Sequence, residues 1–443
     1  MAHLDRMVGI IASDAIDATD GKALGGAFDG KQDGLRKGDD GSGKGHCTLL
    51  LFLSPRDLRR KATAGGRRFG RARGNVALPY RHCCPASGKL AFFLPLRYER
   101  RMTTSNFYAE ALRTGRPIFA VAPMIDWTDR HCRYFHRQIS RNALLYTEMV
   151  VADAIIHGPR ERLLSFDAAE HPVALQLGGS DPAKLAEAVR IAAPYGYDEI
   201  NLNVGCPSDR VQSGTFGACL MLTPETVAEC VRAMKAVADV PVTVKCRIGV
   251  DEQDPEVALP GLLDRVLDAG ADAVWIHARK AWLKGLSPKE NREIPPLDYE
   301  IVYRTKQARP DVFIGINGGI QTLDEAAGHL NHVDGIMLGR AAYQNAAILA
   351  DVDPRFYGGS AEAVDWGAIR DRMMAYAERH IENGGRLQQV ARHMVGLFTG
   401  LPGARRYRQI LSTDAVKTGA GPEVIAAAFA AVDFDSAREA VDA

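Results

Sequence analysis

No apolar run in this 443-residue chain approaches the roughly 18 residues that a membrane-crossing helix needs. The longest near the start, Leu49–Leu53, is too short and too late for a secretory leader, so none is expected. The eight cysteines form no CxxC pair and no repeating framework, and the adjacent Cys83–Cys84 suit neither zinc spacing nor an ordinary disulfide. A cysteine metal site and a disulfide scaffold are therefore not expected, and a reducing, cytoplasmic setting away from membranes is. Charge of one sign is missing too: 55 Lys+Arg face 54 Asp+Glu, a net of +1. The 46% hydrophobic and 25% charged fractions are those of a soluble protein with a sizeable core, and the length implies two or three folded units.

The near-neutral total hides an asymmetry. Residues 1–112 hold 19 Lys+Arg and 11 Asp+Glu, leaving 36 against 43 for the remainder, so a basic head offsets an acidic body. In that head, Gly-rich charged stretches surround two isolated apolar scraps, Leu49–Leu53 and Leu90–Leu96. Gly38–Gly45 approaches a phosphate-loop pattern, but Gly45 stands where Ser or Thr is required. A disordered basic extension over 1–112 is expected, with Met102 as an alternative start.

From residue 115 short apolar runs alternate with polar turns and helical stretches. The runs are Ile118–Ala122, Leu144–Met149, Val173–Leu177, Glu199–Val204, Val242–Cys246, Ala273–His277, Val312–Ile316 and Gly335–Leu338. Between them lie amphipathic segments such as Pro182–Ala193, opened by Asp181 and proline, and Pro224–Val237, opened by Thr223 and proline. Eight βα units over residues 113–355 predict an α/β fold, a (β/α)8 TIM barrel. Residues 360–435 lack strand patterns and predict a small all-helical domain over Asp365–Asn383, Arg386–Leu397, Ala404–Leu411 and Pro422–Ala431.

In such barrels chemistry sits at the carboxyl ends of the strands. Those positions carry Pro123 with Met124, Glu148, Gln176, Asn203 with Cys206, Lys245 with Arg247, His277 with Arg279, Asn317 with Gly318 and Gly319, and Gly339 with Arg340. Polar or glycine residues at the same end of all eight strands argue for a large polar ligand. The last two groups fit a phosphate, whose oxygens need close backbone amides and a fixed cation, although Asn317–Gly319 alone reads equally as a tight turn. Lys245 alternates with Val244 and Cys246, which sends it either to the lumen beside an anionic or electron-rich partner or outward. Cys206, between Gly205 and Pro207, is either a small buried hydrophobe or a protonated thiol able to act as a general acid. Cys230 and Cys246 share apolar faces and read as core, while Cys132 and Cys219 read either way. Between Gly385 and Thr413 stand five arginines (Arg386, Arg392, Arg405, Arg406 and Arg408) and no acid, which is a solvated face or a polyanion contact that Lys289 and Arg292 would extend.

The stretches Ala122–Arg133, Asn201–Leu220 and His277–Leu297 resemble the tRNA-dihydrouridine synthases, most closely the A-type, which act on uridines 20 and 20a of the D loop. The resemblance runs from about residue 116 to about residue 415. It implies a flavin-dependent oxidoreductase, with NADPH reducing FMN and tRNA as the partner. Pro123, Met124, Ile125, Gln176, Lys245, His277, Asn317, Gly318, Gly319, Gly339 and Arg340 would hold the FMN. Cys206 would be the proton donor, and Asn203, Lys289, Arg292, Arg405 and Arg408 would contact tRNA. No metal and no protein partner are implied.

Three other readings compete on the residues alone. An FMN barrel acting on a small dihydropyrimidine needs no Arg-rich appendage. A lyase using Lys245 as a Schiff base leaves Gln176, His277 and Cys206 without roles. A non-catalytic RNA-binding module predicts a colourless protein.

Overall fold

A computed structural model of the chain describes residues 106–208, 216–358 and 364–434. The expected extension through residue 105, with the phosphate-loop-like stretch and Met102, lies outside the described residues. Eight parallel strands close into a barrel: β1 (Ile118–Val121), β2 (Leu144–Tyr146), β3 (Val173–Gly178), β4 (Glu199–Val204), β5 (Val242–Arg247), β6 (Ala273–His277), β7 (Phe313–Asn317) and β8 (Gly335–Leu338). Each pairs with its sequence neighbours, β8 pairs with β1, and a two-residue strand, Val150–Val151, extends the β2 side of β3. All eight apolar runs form the strands expected of them; Glu199–Val204, Ala273–His277 and Gly335–Leu338 match end to end, and the other five shift by one to three residues at one or both ends.

Local chemistry explains the helix starts. Asp181 accepts the amides of Ala183 and Lys184 ahead of a helix at Pro182–Ala192, and Asp254 accepts that of Glu256 ahead of Pro255–Asp268. Thr223 stands at the cap position of Pro224–Lys235, but its side chain makes no capping bond; the proline after it starts that helix.

Because strand side chains alternate, the barrel has two cores of different kind. Val242, Val244 and Cys246 of β5 point outward into the large apolar layer under the helices, together with Cys230. Thr243, Lys245 and Arg247 take the other face, where Thr243 and Lys245 bond to groups on β4 and β7. The lower lumen holds a second cluster that includes Tyr146, Trp275, Phe313 and Met337. Trp275 fits only because β7 carries Gly315, where a Cβ would fall 2.1 Å from the indole ring.

A helix, α1 (Phe107–Thr114), precedes the barrel and corrects the expected extension at its last residues. Asn106 caps it, and Tyr108 and Ala111 enter the lower lumen cluster. Tyr108 is fully buried, donates to Glu199 (2.7 Å) and accepts from the Trp275 indole (3.0 Å). One aromatic residue with a polar tip thus closes the barrel floor.

After the barrel come α-helices at Trp366–Glu382, Leu387–Ala391, Ala404–Thr413 and Glu423–Phe429. The expected helix over Arg386–Leu397 is shorter. Past Ala391 the chain tightens into i to i+3 turns, with Met394 bonding back to Ala391 and Leu397 to Met394. Gly396 there approaches the Gln344 carbonyl so closely that a Cβ would meet it at 2.1 Å. The helices pack on Arg130–Ile139, where Tyr376 stacks on Tyr134 (3.9 Å between centroids) and bonds His131 (2.8 Å).

Replacing Gly315 with alanine should overpack the lumen against Trp275 and destabilise the fold by about 1–3 kcal/mol. Thermal unfolding of Gly315→Ala measures this, and an unchanged Tm would contradict the packing described.

Candidate active site at the barrel mouth

The strand register stacks polar side chains in rows across the upper lumen. Gln176 lies beside Asn201, Asn203 beside Lys245, Arg247 beside His277, and His277 beside Asn317. Asn203 donates to the Gln176 carbonyl oxygen at 2.8 Å, and its own carbonyl oxygen accepts the amides of Gly205 and Cys206, both at 3.0 Å. That short turn presents Cys206, which is half-buried, with its Sγ 3.7 Å from the Ser208 hydroxyl.

Lys245 is a lumenal lysine. Its Nζ donates to Asn317 Oδ1 at 3.1 Å, while Asn317 Nδ2 donates to the Met337 carbonyl. Burial, reinforced by Arg247, pushes the Lys245 amine down to about 8. Burial likewise holds His277 well below the usual imidazole range, helped by Arg247 and Lys245, so its ring is neutral at pH 7. Arg247 is lowered to about 10 by burial, yet it stays charged and joins three loops. Its Nε donates to the Gly205 carbonyl (2.9 Å) and Nη1 to those of Lys280 (2.8 Å) and Asn291 (3.0 Å).

Beyond β7 the backbone turns through Gly318 (φ +122°) and Gly319 (φ +72°), conformations that side chains rarely adopt. A Cβ on Gly318 would also meet His277 at 2.7 Å, and one on Gly319 would meet Leu297 at 2.6 Å. Gly339 lies close to Met124 of the β1 loop, and Arg340 begins a short helix and pairs with Glu293 at 2.8 Å. The β1 loop itself is set by Thr128, whose hydroxyl accepts the Met124 amide at 2.9 Å; Pro123 is half-buried and Ile125 exposed.

The cations of the mouth have the makings of an anion cradle. Lys245, Arg247 and Arg279 bond only to carbonyl oxygens, with no carboxylate partner among the described residues. Among the described residues the buried Nε of Arg279 has no hydrogen-bond partner. Arg279 reaches the Glu293 and Pro295 carbonyls, and Tyr299 donates to the Gly318 carbonyl at 2.7 Å. Surplus positive charge, an orphaned N–H and two glycine turns fit an anionic group entering from outside.

The expected RNA contacts fall in two places. Lys289 and Arg292 are exposed on the loop after β6, and the buried Asn291 between them organises that loop by donating to the Trp282, Leu286 and Ser287 carbonyls. Arg405 and Arg408 lie on Ala404–Thr413, one exposed and one half-buried, and among the described residues neither makes a hydrogen bond or ion pair. The five-arginine patch is smaller than it reads, because Arg392 is taken by Asp129 at 2.5 Å. Asp129 also caps Arg130–Ile139 and bonds His393; although burial alone would raise its carboxyl, His393 holds it well below the ordinary range. Of the ambiguous cysteines, Cys132 is buried and Cys219 half-buried. Sequence reasoning passed over Glu199 and Asn201, although the alternation Glu-Ile-Asn-Leu-Asn in a buried strand marks a polar lumenal face.

The fold and mouth define a class: a (β/α)8-barrel protein with a positively charged mouth and a loop-borne thiol. Comparison with known proteins narrows it. The dihydrouridine synthase (Dus) family matches residues 120–432. A tRNA-dihydrouridine(20/20a) synthase of Shewanella oneidensis is 57% identical over 317 residues, 72% of this chain and 94% of its own length. Those of Vibrio cholerae (54%, covering 71% and 96%) and Escherichia coli K12 (57%, covering 69% and 89%) are similar. This chain belongs to the dihydrouridine synthase family and is an oxidoreductase. Among the described residues no helix is long and apolar enough to cross a membrane.

Anion binding should depend on the Lys245 charge, which is present below about pH 8 and lost above it. The affinity of the flavin-free protein for FMN is expected to fall as pH rises through that value, and Lys245→Met should flatten the profile. Equilibrium titration by flavin fluorescence gives both curves; identical profiles would remove Lys245 from the anion site.

Proposed function

We propose that this chain reduces uridine to 5,6-dihydrouridine at positions 20 and 20a of the tRNA D loop, in the cytoplasm, with Cys206 as the proton donor. The observation that carries this reading is the joining of two features at one mouth. Cys206 is held by the Asn203 carboxamide, and beside it stands a positive cradle with an orphaned N–H. The names of the similar proteins supply the positions on tRNA.

Pro123, Met124, Ile125, Gln176, Lys245, His277, Asn317, Gly318, Gly319, Gly339 and Arg340 would hold FMN. When bound and reduced by NADPH, FMN supplies the hydride. The chain's own groups do the rest. Cys206 Sγ delivers a proton to C5 of the uracil, on the side opposite hydride arrival at C6. The thiolate left behind faces the charges of Lys245 and Arg247, which favour it. Asn203 orients the base, which must leave its stack to reach a thiol below the rim. Lys289 and Arg292 on the rim, and Arg405 and Arg408 on the helical appendage, take the phosphates.

Cys206→Ala should keep its bound flavin and oxidise NADPH, yet form almost no dihydrouridine by nucleoside mass spectrometry. Full product formation would sink the acid assignment. Arg405→Ala with Arg408→Ala should weaken tRNA binding and flatten its salt dependence by about two charges without loss of bound flavin. An unchanged affinity at moderate salt would detach the appendage from RNA binding.

A further inference from the structure

We infer that Glu199 and Thr243, deep in the lumen, are positioning residues that fix the Cys206 loop through a one-way ladder of hydrogen bonds. Each rung is on the page. Asn203 Nδ2 donates to Gln176 Oε1 at 2.8 Å, Gln176 Nε2 to Asn201 Oδ1 at 2.8 Å, and Asn201 Nδ2 to Thr243 Oγ1 at 2.7 Å. The Thr243 hydroxyl then donates to Glu199 Oε1 in a short bond. All five residues are buried, and Glu199, Asn201 and Thr243 completely so. With water excluded, a reversed rung leaves a donor facing a donor.

Both ends demand the same direction. At the top, the Gly205 and Cys206 amides can only donate, so Asn203 must offer them its carbonyl oxygen and turn its amide nitrogen to Gln176. At the bottom, Glu199 Oε1 accepts from Thr243 and from Tyr146 (2.6 Å), while Tyr108 donates to Oε2. Thr243 has one proton; given to Glu199, it leaves the hydroxyl oxygen free to accept from Asn201. Three side-chain amides, each able to flip, are thereby held in one orientation by two backbone N–H groups above and one carboxyl group below. Burial pushes Glu199 up to about 7, and a proton on Oε2 leaves Oε1 an acceptor, so the direction survives that titration. Gln176 and Asn203 consequently turn N–H groups along the ladder, and the turn that presents Cys206 depends on a hydroxyl one strand away.

Thr243→Val keeps the volume and removes the rung, Thr243→Ser keeps the rung, and Tyr146→Phe removes a different bond to the same carboxyl. Hydrogen exchange at the Gly205 and Cys206 amides reads the ladder without needing catalysis. Thr243→Val should speed exchange there roughly tenfold, the size of one lost hydrogen bond, and slow dihydrouridine formation. Thr243→Ser and Tyr146→Phe should leave exchange at these amides as in the parent, although Tyr146→Phe lowers Tm. If Thr243→Val does not fold, Thr243→Ala takes its place. Equal exchange in the Val (or Ala) and Ser variants overturns the ladder, as does a Tyr146→Phe effect as large as that of Thr243→Val. The activity arm alone rests on Cys206 as the acid. An active Cys206→Ala would remove that reading and leave the exchange contrast standing.

Discussion

Among the described residues, the mouth of this barrel holds more positive charge than its neighbours neutralise. The half-buried Lys245 and the buried Arg247 lie in the lumen and bond to neutral oxygens, while among the described residues Arg279 keeps an unpartnered N–H. Such an arrangement is costly for the protein by itself, and the anion proposed to bind there would offset the cost. The glycine turn after β7 lies against His277, Leu297 and Tyr299 at the same end of the barrel. His277 is kept neutral by burial and, after that, by the same cations, so it adds a ring and a hydrogen-bonding nitrogen without adding to the repulsion.

The opposite end of the lumen solves a different problem. An eight-stranded barrel must be filled, and here its floor is filled by aromatic rings whose polar tips meet one carboxyl group. Between floor and mouth the lumen is neither apolar nor wet. It carries a file of amides and one hydroxyl, each satisfied, which passes orientation from bottom to top.

Much of this was legible in the sequence, and the reasons for the rest are physical. Strand positions were readable because buried parallel strands are short apolar runs between turn residues, and eight such runs in phase admit few architectures. Polar residues recurring at the strand ends marked the mouth before any geometry existed. Their partners were not readable, because the register that places Gln176 beside Asn201, and Asn201 beside Thr243, is set by neighbouring strands. The floor helix escaped notice for a similar reason: Tyr108 finds its partners on β2, β4 and β6, none of them near in sequence. The pairing of Arg392 with Asp129 spans 263 residues, so the arginine run looked larger than the free patch it forms.

That last pair fastens more than charge. Asp129 ends the loop that carries Pro123, Met124 and Ile125, caps the helix behind it, and grips Arg392 and His393 of the appendage. Tyr343, one helical turn past Arg340 in the neighbouring loop after β8, joins the same knot through His393 and stacks on Trp127 at 4.4 Å. The appendage is therefore not a tethered arm with its own freedom. Its span from Arg405 and Arg408 to the mouth is set by these contacts, so a folded nucleic acid that met both ends, as proposed, would be measured against a fixed length.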